Sequence, residues 1–374
     1  MLAWLIVLSS CVARAQKPAL DSLEFKIGQM VMVGFRGLSV ADTSAIVQDL
    51  RQRYIGGVIL FDYDVPAKSP VRNIESPAQV RQLIHRLKQI AAEHSTLPLF
   101  VAIDQEGGRV ARLKEKFGFQ RTVSAAYLGT QPLDSTRFYA ARIAKELASL
   151  GININFAPCV DVNLNPENPV IAKYERSFSA DARQVARYAE AFIDEHRKQG
   201  ILTTLKHFPG HGSSRSDSHV GFVDVTAVWS PEELMPYRTL IQAGKVDMVM
   251  TAHIFHSGLD SALPATLSQN VVKRLLRDSL QYKGVVVSDD MQMKAISAQY
   301  GLETAIKYAL LAGIDMLLFG NNLDYDPEIA RKATACIKQL VADKVISPAR
   351  IEESYQRIVA LKLRLQSEPR EAKR

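Results

Sequence analysis

Short apolar runs recur along the chain, at residues 30–35, 57–61, 97–103, 152–157, 201–205, 246–251, 284–287 and 314–319. Most are rich in Val and Ile, and their unbroken apolar character fits strands buried on both faces of a parallel sheet. Between most of them the apolar residues return at helical spacing, as at 78–93, 134–150, 181–199, 231–243, 270–280 and 304–312. Ser230-Pro231-Glu232-Glu233 is a good helix start, and Gly200, Gly244 and Gly313 follow helix ends. The first run is the weakest, because Ile27-Gly28-Gln29-Met30 could equally begin a helix. Eight strands alternating with helices predict an α/β fold of the (β/α)8 TIM-barrel type, with a doubly wound open sheet as the structural alternative. No internal repeat below the βα period, no linker and no low-complexity segment interrupts the pattern.

The polar residues follow the strand ends. Asp104 follows the third run, Asp161 the fourth, Lys206 and His207 the fifth, His253 the sixth and Asp289 the seventh. Barrel enzymes build their sites at the C-terminal ends of the strands, and five strands delivering ionisable groups to one rim are hard to explain as packing.

The densest chemistry is Lys206-His207-Phe208-Pro209-Gly210-His211-Gly212-Ser213-Ser214-Arg215-Ser216-Asp217-Ser218-His219. Pro209, Gly210 and Gly212 break the strand pattern, which predicts a mobile loop at the strand's end. Asp217 and His219 are two residues apart, so a carboxylate could orient and charge an imidazole able to move a proton near neutral pH. A solvated polar loop is the bland alternative. Val285-Val286-Val287-Ser288-Asp289-Asp290 sets a carboxylate directly after a strand, where it could serve as nucleophile or charge stabiliser. Asp is also a good helix cap; the pair allows Asp289 to face the site while Asp290 serves structure, with a helix from Met291 onward. Asp104-Gln105-Glu106-Gly107-Gly108-Arg109-Val110-Ala111-Arg112 suits recognition of hydroxyls and amide carbonyls, or a salt-bridged surface turn. In Tyr174-Glu175-Arg176-Ser177-Phe178, Arg176 is a candidate ligand contact.

Composition narrows the classes. The 374 residues are 47% hydrophobic, ample for a large core, and 23% charged, close to average. The formal charge of +7 is spread without a basic block, so no nucleic-acid partner is expected. Residues 1–15 read as a signal peptide, with Ala13-Arg14-Ala15 as the cleavage site before Gln16. Leu8-Ser9-Ser10-Cys11 also resembles a lipoprotein box, which makes Cys11 the candidate lipid anchor. The expected organisation is a signal at 1–15 and a single catalytic barrel at 16–374 with a short charged C-terminal tail. The expected location is outside the inner membrane, periplasmic or membrane-anchored. Cys159 and Cys336 look like small core residues, and neither disulfide nor zinc spacing is present.

Sugar chemistry fits this inventory. A retaining glycosidase needs a carboxylate nucleophile and a proton donor across the bond. Here Asp289 would be the nucleophile and His219, held by Asp217, the donor. No Ser nucleophile elbow, P-loop, Rossmann glycine pattern or H-E-x-x-H zinc motif appears.

The combination of Ile103-Asp104-Gln105-Glu106-Gly107-Gly108-Arg109, Glu175-Arg176-Ser177-Phe178, Lys206-His207-Phe208-Pro209-Gly210-His211-Gly212 with Asp217-Ser218-His219, and Val287-Ser288-Asp289-Asp290-Met291 resembles the β-N-acetylglucosaminidases of glycoside hydrolase family 3. The resemblance covers residues 23–365. It implies retention of configuration, a covalent glycosyl-aspartate at Asp289, and acid/base work by His219 with Asp217. It also implies that Asp104, Arg112, Arg176, Lys206 and His207 grip the N-acetylglucosamine, with no cofactor and no metal. The glucosidase branch usually takes its acid from a second domain, whereas here the Asp217–His219 loop would supply it. The expectation is therefore an exported exo-acting enzyme whose partner is a carbohydrate, releasing N-acetylglucosamine from peptidoglycan fragments or chito-oligosaccharides. A β-glucosidase, a phosphorylase and a non-catalytic glycan-binding barrel are the alternatives, and the oligomeric state is left open.

Overall fold

The computed structural model describes residues 21–366. The signal-like residues 1–15, with Cys11, lie outside the described residues. Eight parallel strands form the centre: β1 (Val31–Gly34), β2 (Gly57–Leu60), β3 (Phe100–Ile103), β4 (Ile154–Asn155), β5 (Leu202–Phe208), β6 (Met248–Thr251), β7 (Val285–Ser288) and β8 (Leu317–Phe319). They are ordered β8-β1-β2-β3-β4-β5-β6-β7. Registers such as Gly57 opposite Phe100 and Met248 opposite Val285 carry the pairing round. The ring closes where Val287 pairs with Met316, and Ser288 N donates to Met316 O at 3.0 Å. This is the expected (β/α)8 barrel, not an open sheet.

Every residue of these eight strands is buried. One face of each strand fills the barrel and the other meets the helices, which is why the runs are apolar throughout instead of alternating. The helices are built by ordinary local rules. Pro77–His94 starts behind Ser76, whose hydroxyl accepts from Gln79 N at 3.3 Å, and buries Val80, Leu83, Ile84, Leu87 and Ile90 at helical spacing. Each such side chain contributes about 2 kcal/mol on leaving water. Gly200, Gly244 and Gly313 all take positive φ just beyond helices, as expected.

Several local expectations are corrected. Ile27-Gly28-Gln29-Met30 does not begin a helix but ends one (Leu23–Gln29, with Met30 as its cap), and the first run supplies β1 from Val31. Lys206 and His207 do not follow the fifth strand; β5 runs on through Phe208, because each polar side chain finds a buried partner. The helix after Asp290 starts at Lys294, not Met291, and changes direction at Gly301. Residues 231–243 form a 3-10 turn, Pro231–Leu234, before the helix Met235–Gln242. Asn270–Ser279 is wound as a π-helix. Cys159 is buried as expected, whereas Cys336 is only half-buried.

Candidate active site

The C-terminal ends of the strands surround a cavity of about 450 Å³. It is lined by Asp104, Arg112, Arg176, Lys206, His207, Asp217, His219 and Asp289. All eight residues singled out from the sequence therefore meet at one opening, although the chain from Asp104 to Asp289 that carries them runs over 186 positions.

The floor is a closed charge network. Lys206, on β5, donates to Asp104 Oδ1 at 2.8 Å and contacts Glu106 Oε1 at 2.6 Å. Arg176 grips Glu106 with two hydrogen bonds, at 2.9 and 2.7 Å. Arg112 reaches Asp104 Oδ2 at 3.4 Å. Burial by itself would push the Asp104 carboxyl up, but the Lys206 ammonium and Arg112 guanidinium outweigh it and hold it well below the usual range. Burial opposes the charge on Lys206 in the same way and loses to Asp104 and Glu106, so its ammonium is held above its ordinary value. Buried ions persist only in such balanced, hydrogen-bonded sets.

The hairpin after β3, Gln105–Gly107 paired with Val110–Ala111, aims these groups. Gln105 Oε1 accepts from Arg112 N at 2.8 Å and Leu113 N at 3.0 Å, which brings Arg112 back over Asp104. Of the cluster that could have been a surface turn, Gln105, Glu106, Gly107 and Ala111 are buried, while Gly108 and Arg109 stay exposed.

His207 is fixed by both ring nitrogens. Arg176 Nη2 lies 3.1 Å from Nε2, and an arginine can only donate. Nε2 must therefore accept, and Nδ1 carries the proton given to Asp161 Oδ2 at 2.7 Å. Asp161 also accepts from His211 N at 2.8 Å and from Cys159 Sγ at 3.1 Å. Cys159, Asp161 and His207 place potential ligand atoms within 4.8 Å of one another. Burial drives the Cys159 thiol well above its ordinary pKa, so it keeps its proton and donates it to Asp161. Asp161 thus accepts from Cys159, His207 and His211 and joins the three in one hydrogen-bond relay.

The segment after β5 divides in two. The turn at 209–214, expected to be mobile, is buried throughout. Glu233 accepts from Gly212 N at 2.7 Å and Ser213 Oγ at 2.5 Å. Burial pushes the Glu233 carboxyl up to about 8 against these hydrogen bonds. A Cβ on Gly212 would lie 1.7 Å from Val162 O, so only glycine lets the two backbones meet there. Beyond this anchor the chain emerges, and His219 Nδ1 lies 2.7 Å from Asp217 Oδ1, with side chains 52% and 31% exposed. Asp217 also accepts from His219 N at 2.8 Å. Burial lowers the His219 pKa, but Asp217 and Asp289 outweigh it and raise it above the ordinary histidine value. With Nδ1 bound to Asp217, Nε2 is the nitrogen left for proton exchange.

Asp289 stands at the end of β7. Its Oδ1 accepts from Asp290 N at 2.8 Å. Burial would raise its pKa, but the imidazoles of His253, His207 and His219 outweigh it and keep the carboxyl below its ordinary value, hence ionised. Asp290 takes the structural part: its Oδ1 accepts from Gln292 N at 3.0 Å and Gly320 N at 2.9 Å. Burial pushes Asp290 up to about 6. Two adjacent carboxylates thus have opposite shifts, set by what each faces.

Sequence reading passed over Glu106, which completes the floor, and Asp62, which lines the cavity and contacts Lys114 Nζ at 2.5 Å. Asp62 directly follows the second apolar run, so the strand-end rule that found Asp104 would also have found it. Asp161 was noted at its strand end, but its hold on His207 carried no signal in sequence.

The sequence pattern described as "Glycosyl hydrolase family 3 N terminal domain" matches residues 22–361. Beta-hexosaminidase A of Pseudoalteromonas piscicida is 36% identical over 341 residues, covering 85% of this chain and 55% of that protein. Beta-hexosaminidase LpqI of Mycobacterium tuberculosis is 36% identical over 318 residues, covering 83% of this chain and 76% of the relative. The structure of a family 3 β-N-acetylglucosaminidase from a Paenibacillus species superposes with a TM-score of 0.84 at 39% identity, covering 92% of this chain and 63% of that one. This chain therefore spans little more than half of the Pseudoalteromonas relative and under two thirds of the Paenibacillus one.

Proposed function

Because this chain belongs to glycosyl hydrolase family 3, we propose that it is a retaining exo-β-N-acetylglucosaminidase. One observation carries the reading: an ionised, half-buried carboxylate, Asp289, and a carboxylate-held imidazole, His219, line one cavity beside a charge-satisfied floor. The named activities of the relatives, beta-hexosaminidase and β-N-acetylglucosaminidase, point the same way.

In this mechanism Asp104, Arg112, Arg176, Lys206 and His207 hold the sugar. An Asp289 oxygen attacks C1 and the bond from C1 to the leaving oxygen breaks, while that oxygen takes the proton from His219 Nε2. Water then attacks C1, His219 Nε2 takes the water's proton, and the bond from C1 to Asp289 breaks with inversion a second time, so configuration is retained. Asp217 keeps the imidazole in the tautomer this needs and stabilises its charged form. The floor's charges are already paired, so it reorganises little as positive charge develops at C1. On this reading residues 1–15 are an export signal or carry a lipid on Cys11, and the natural glycan is a peptidoglycan fragment or chito-oligosaccharide met outside the inner membrane.

The test compares nitrophenyl N-acetyl-β-glucosaminide with nitrophenyl β-glucoside, with and without phosphate, and reads the anomer first released by NMR. The expected result is fast release of β-N-acetylglucosamine without any need for phosphate. Preference for the glucoside, or a sugar 1-phosphate as product, would replace this reading with one of its alternatives.

A further inference from the structure

The floor and the acid account for one sugar, but not for the apolar side chains at the mouth. Nine large hydrophobic residues are exposed among the described residues, and five of them, Tyr63, Val65, Tyr174, Val220 and Phe222, lie on loops leaving the C-terminal ends of β2, β4 and β5. Such clustering at one end of a barrel marks a surface that meets a ligand.

Tyr174 is the best placed of them. It lines the cavity and is 49% exposed. Its loop leaves β4, and β4 neighbours β5, whose loop carries His219. Glu175, next to it, has a positive φ of 57°, and this left-handed corner turns Arg176 down to Glu106 while Tyr174 stays at the rim. The corner is fixed on both sides. Glu175 N donates to Ala172 O at 2.9 Å, Ala126 N to Glu175 O at 3.1 Å, Arg176 N to Ile171 O at 3.0 Å, and Arg109 Nη1 to Lys173 O at 3.0 Å. A ring presented on so tightly bonded a backbone loses little freedom when it is covered.

The leaving oxygen must reach His219 Nε2, so the group attached to it emerges beside the β5 loop, and the β4 loop on one flank brings Tyr174 into the same cavity as His219. We propose that Tyr174 is the platform on which the leaving group's own pyranose ring stacks, its C–H face against the aromatic face and its hydroxyls in water. The ligand class is a second hexopyranose, β-linked to the sugar being removed. The inference rests on the glycosidase reading above and adds the position at which the next sugar is recognised.

The experiment measures kcat/KM for wild type and for Tyr174→Ala, Tyr174→Phe and Tyr174→Trp. One substrate is methyl N-acetyl-β-glucosaminide, whose leaving group has no ring; the other is N,N′-diacetylchitobiose, whose leaving group is a second pyranose. Tyr174→Ala should lower kcat/KM on the disaccharide by about 3- to 10-fold, mainly through KM, with less than about twofold lost on the methyl glycoside. The Phe and Trp variants should keep the disaccharide activity. Equal losses on both substrates, or none on the disaccharide, would overturn the platform while leaving the glycosidase reading intact. Wild type that cleaves neither substrate would instead overturn that reading and the platform with it.

Discussion

The two ends of the barrel both bury charge, and they do so to different effect. At the N-terminal end, Asp315 accepts from Val286 N at 2.9 Å, Ser354 Oγ at 2.7 Å, Arg277 Nη2 at 2.6 Å and Arg357 Nη1 at 3.0 Å. Asp247 is likewise held by Thr203, Arg197 and Arg364. The space beside Lys362 there is about 10 Å³, against about 450 Å³ at the other end. At the C-terminal end the floor is equally well paired, but Asp289 and His219 face the cavity with capacity left over. Saturation closes one end and ties the chain together; an ionised carboxylate left facing open space makes the other end reactive. The comparison separates a structural ion pair from a chemical one by what remains unpaired, not by burial or shifted pKa alone.

Five measurements can break or sharpen this contrast. Asp289→Ala should lower kcat by several powers of ten, with little change in thermal midpoint, because its contribution is covalent and electrostatic. Retention of more than about a tenth of wild-type kcat would remove it as nucleophile. Next, Asp217→Ala and His219→Ala should each cost about 10²- to 10⁴-fold on substrates with poor leaving groups and far less on a dinitrophenyl glycoside, and the double mutant should be little worse than either. In the pH profile, the alkaline limb should lie above the ordinary histidine value, since Asp217 raises His219, and Asp217→Asn should move that limb down. Equal losses on good and poor leaving groups would refute the acid role.

The opposite end should respond in the opposite way. Asp315→Ala removes the buried carboxylate that three partly buried arginines share and should cost about 3–5 kcal/mol of stability in denaturant unfolding, with kcat per folded molecule unchanged. A matching collapse of kcat in protein that remains folded would erase the distinction between the ends. The last measurement reads a slope and concerns Lys362, which donates to Gln29 Oε1 and Gly56 O and which burial pushes down to about 7. Between about 7 and its unfolded value near 10.5 the unfolded chain holds the extra proton, so stability rises with pH, by about 1.4 kcal/mol per unit at most, and is lost as pH falls through 7. Lys362→Met should flatten that rise, and an unchanged slope would mean that the ammonium is not penalised there.

The amino-acid sequence by itself determined the strand positions, because strands buried on both faces need unbroken apolar runs, and each of the eight runs overlaps a barrel strand, although β5 and β7 continue past theirs. It also determined the rim residues, because a polar group directly after such a run can only emerge at the strand's C-terminal end. Asp104, Lys206, His207 and Asp289 were legible in this way, and the pairing of Asp217 with His219 was legible because two residues suffice for a carboxylate to reach an imidazole. The limits of β5 were not legible. Lys206 and His207 look like the end of a strand until Asp104, 102 residues away, and Asp161, 46 residues away, supply their partners. The anchoring of the turn by Glu233, the opposite shifts of Asp289 and Asp290, and the hold of Asp161 on His207 were likewise decided only when the ring closed. Hydrophobic periodicity reports which face of an element is buried, whereas the partner of a buried charge depends on which distant elements the closed barrel makes neighbours, and that is fixed by tertiary structure alone.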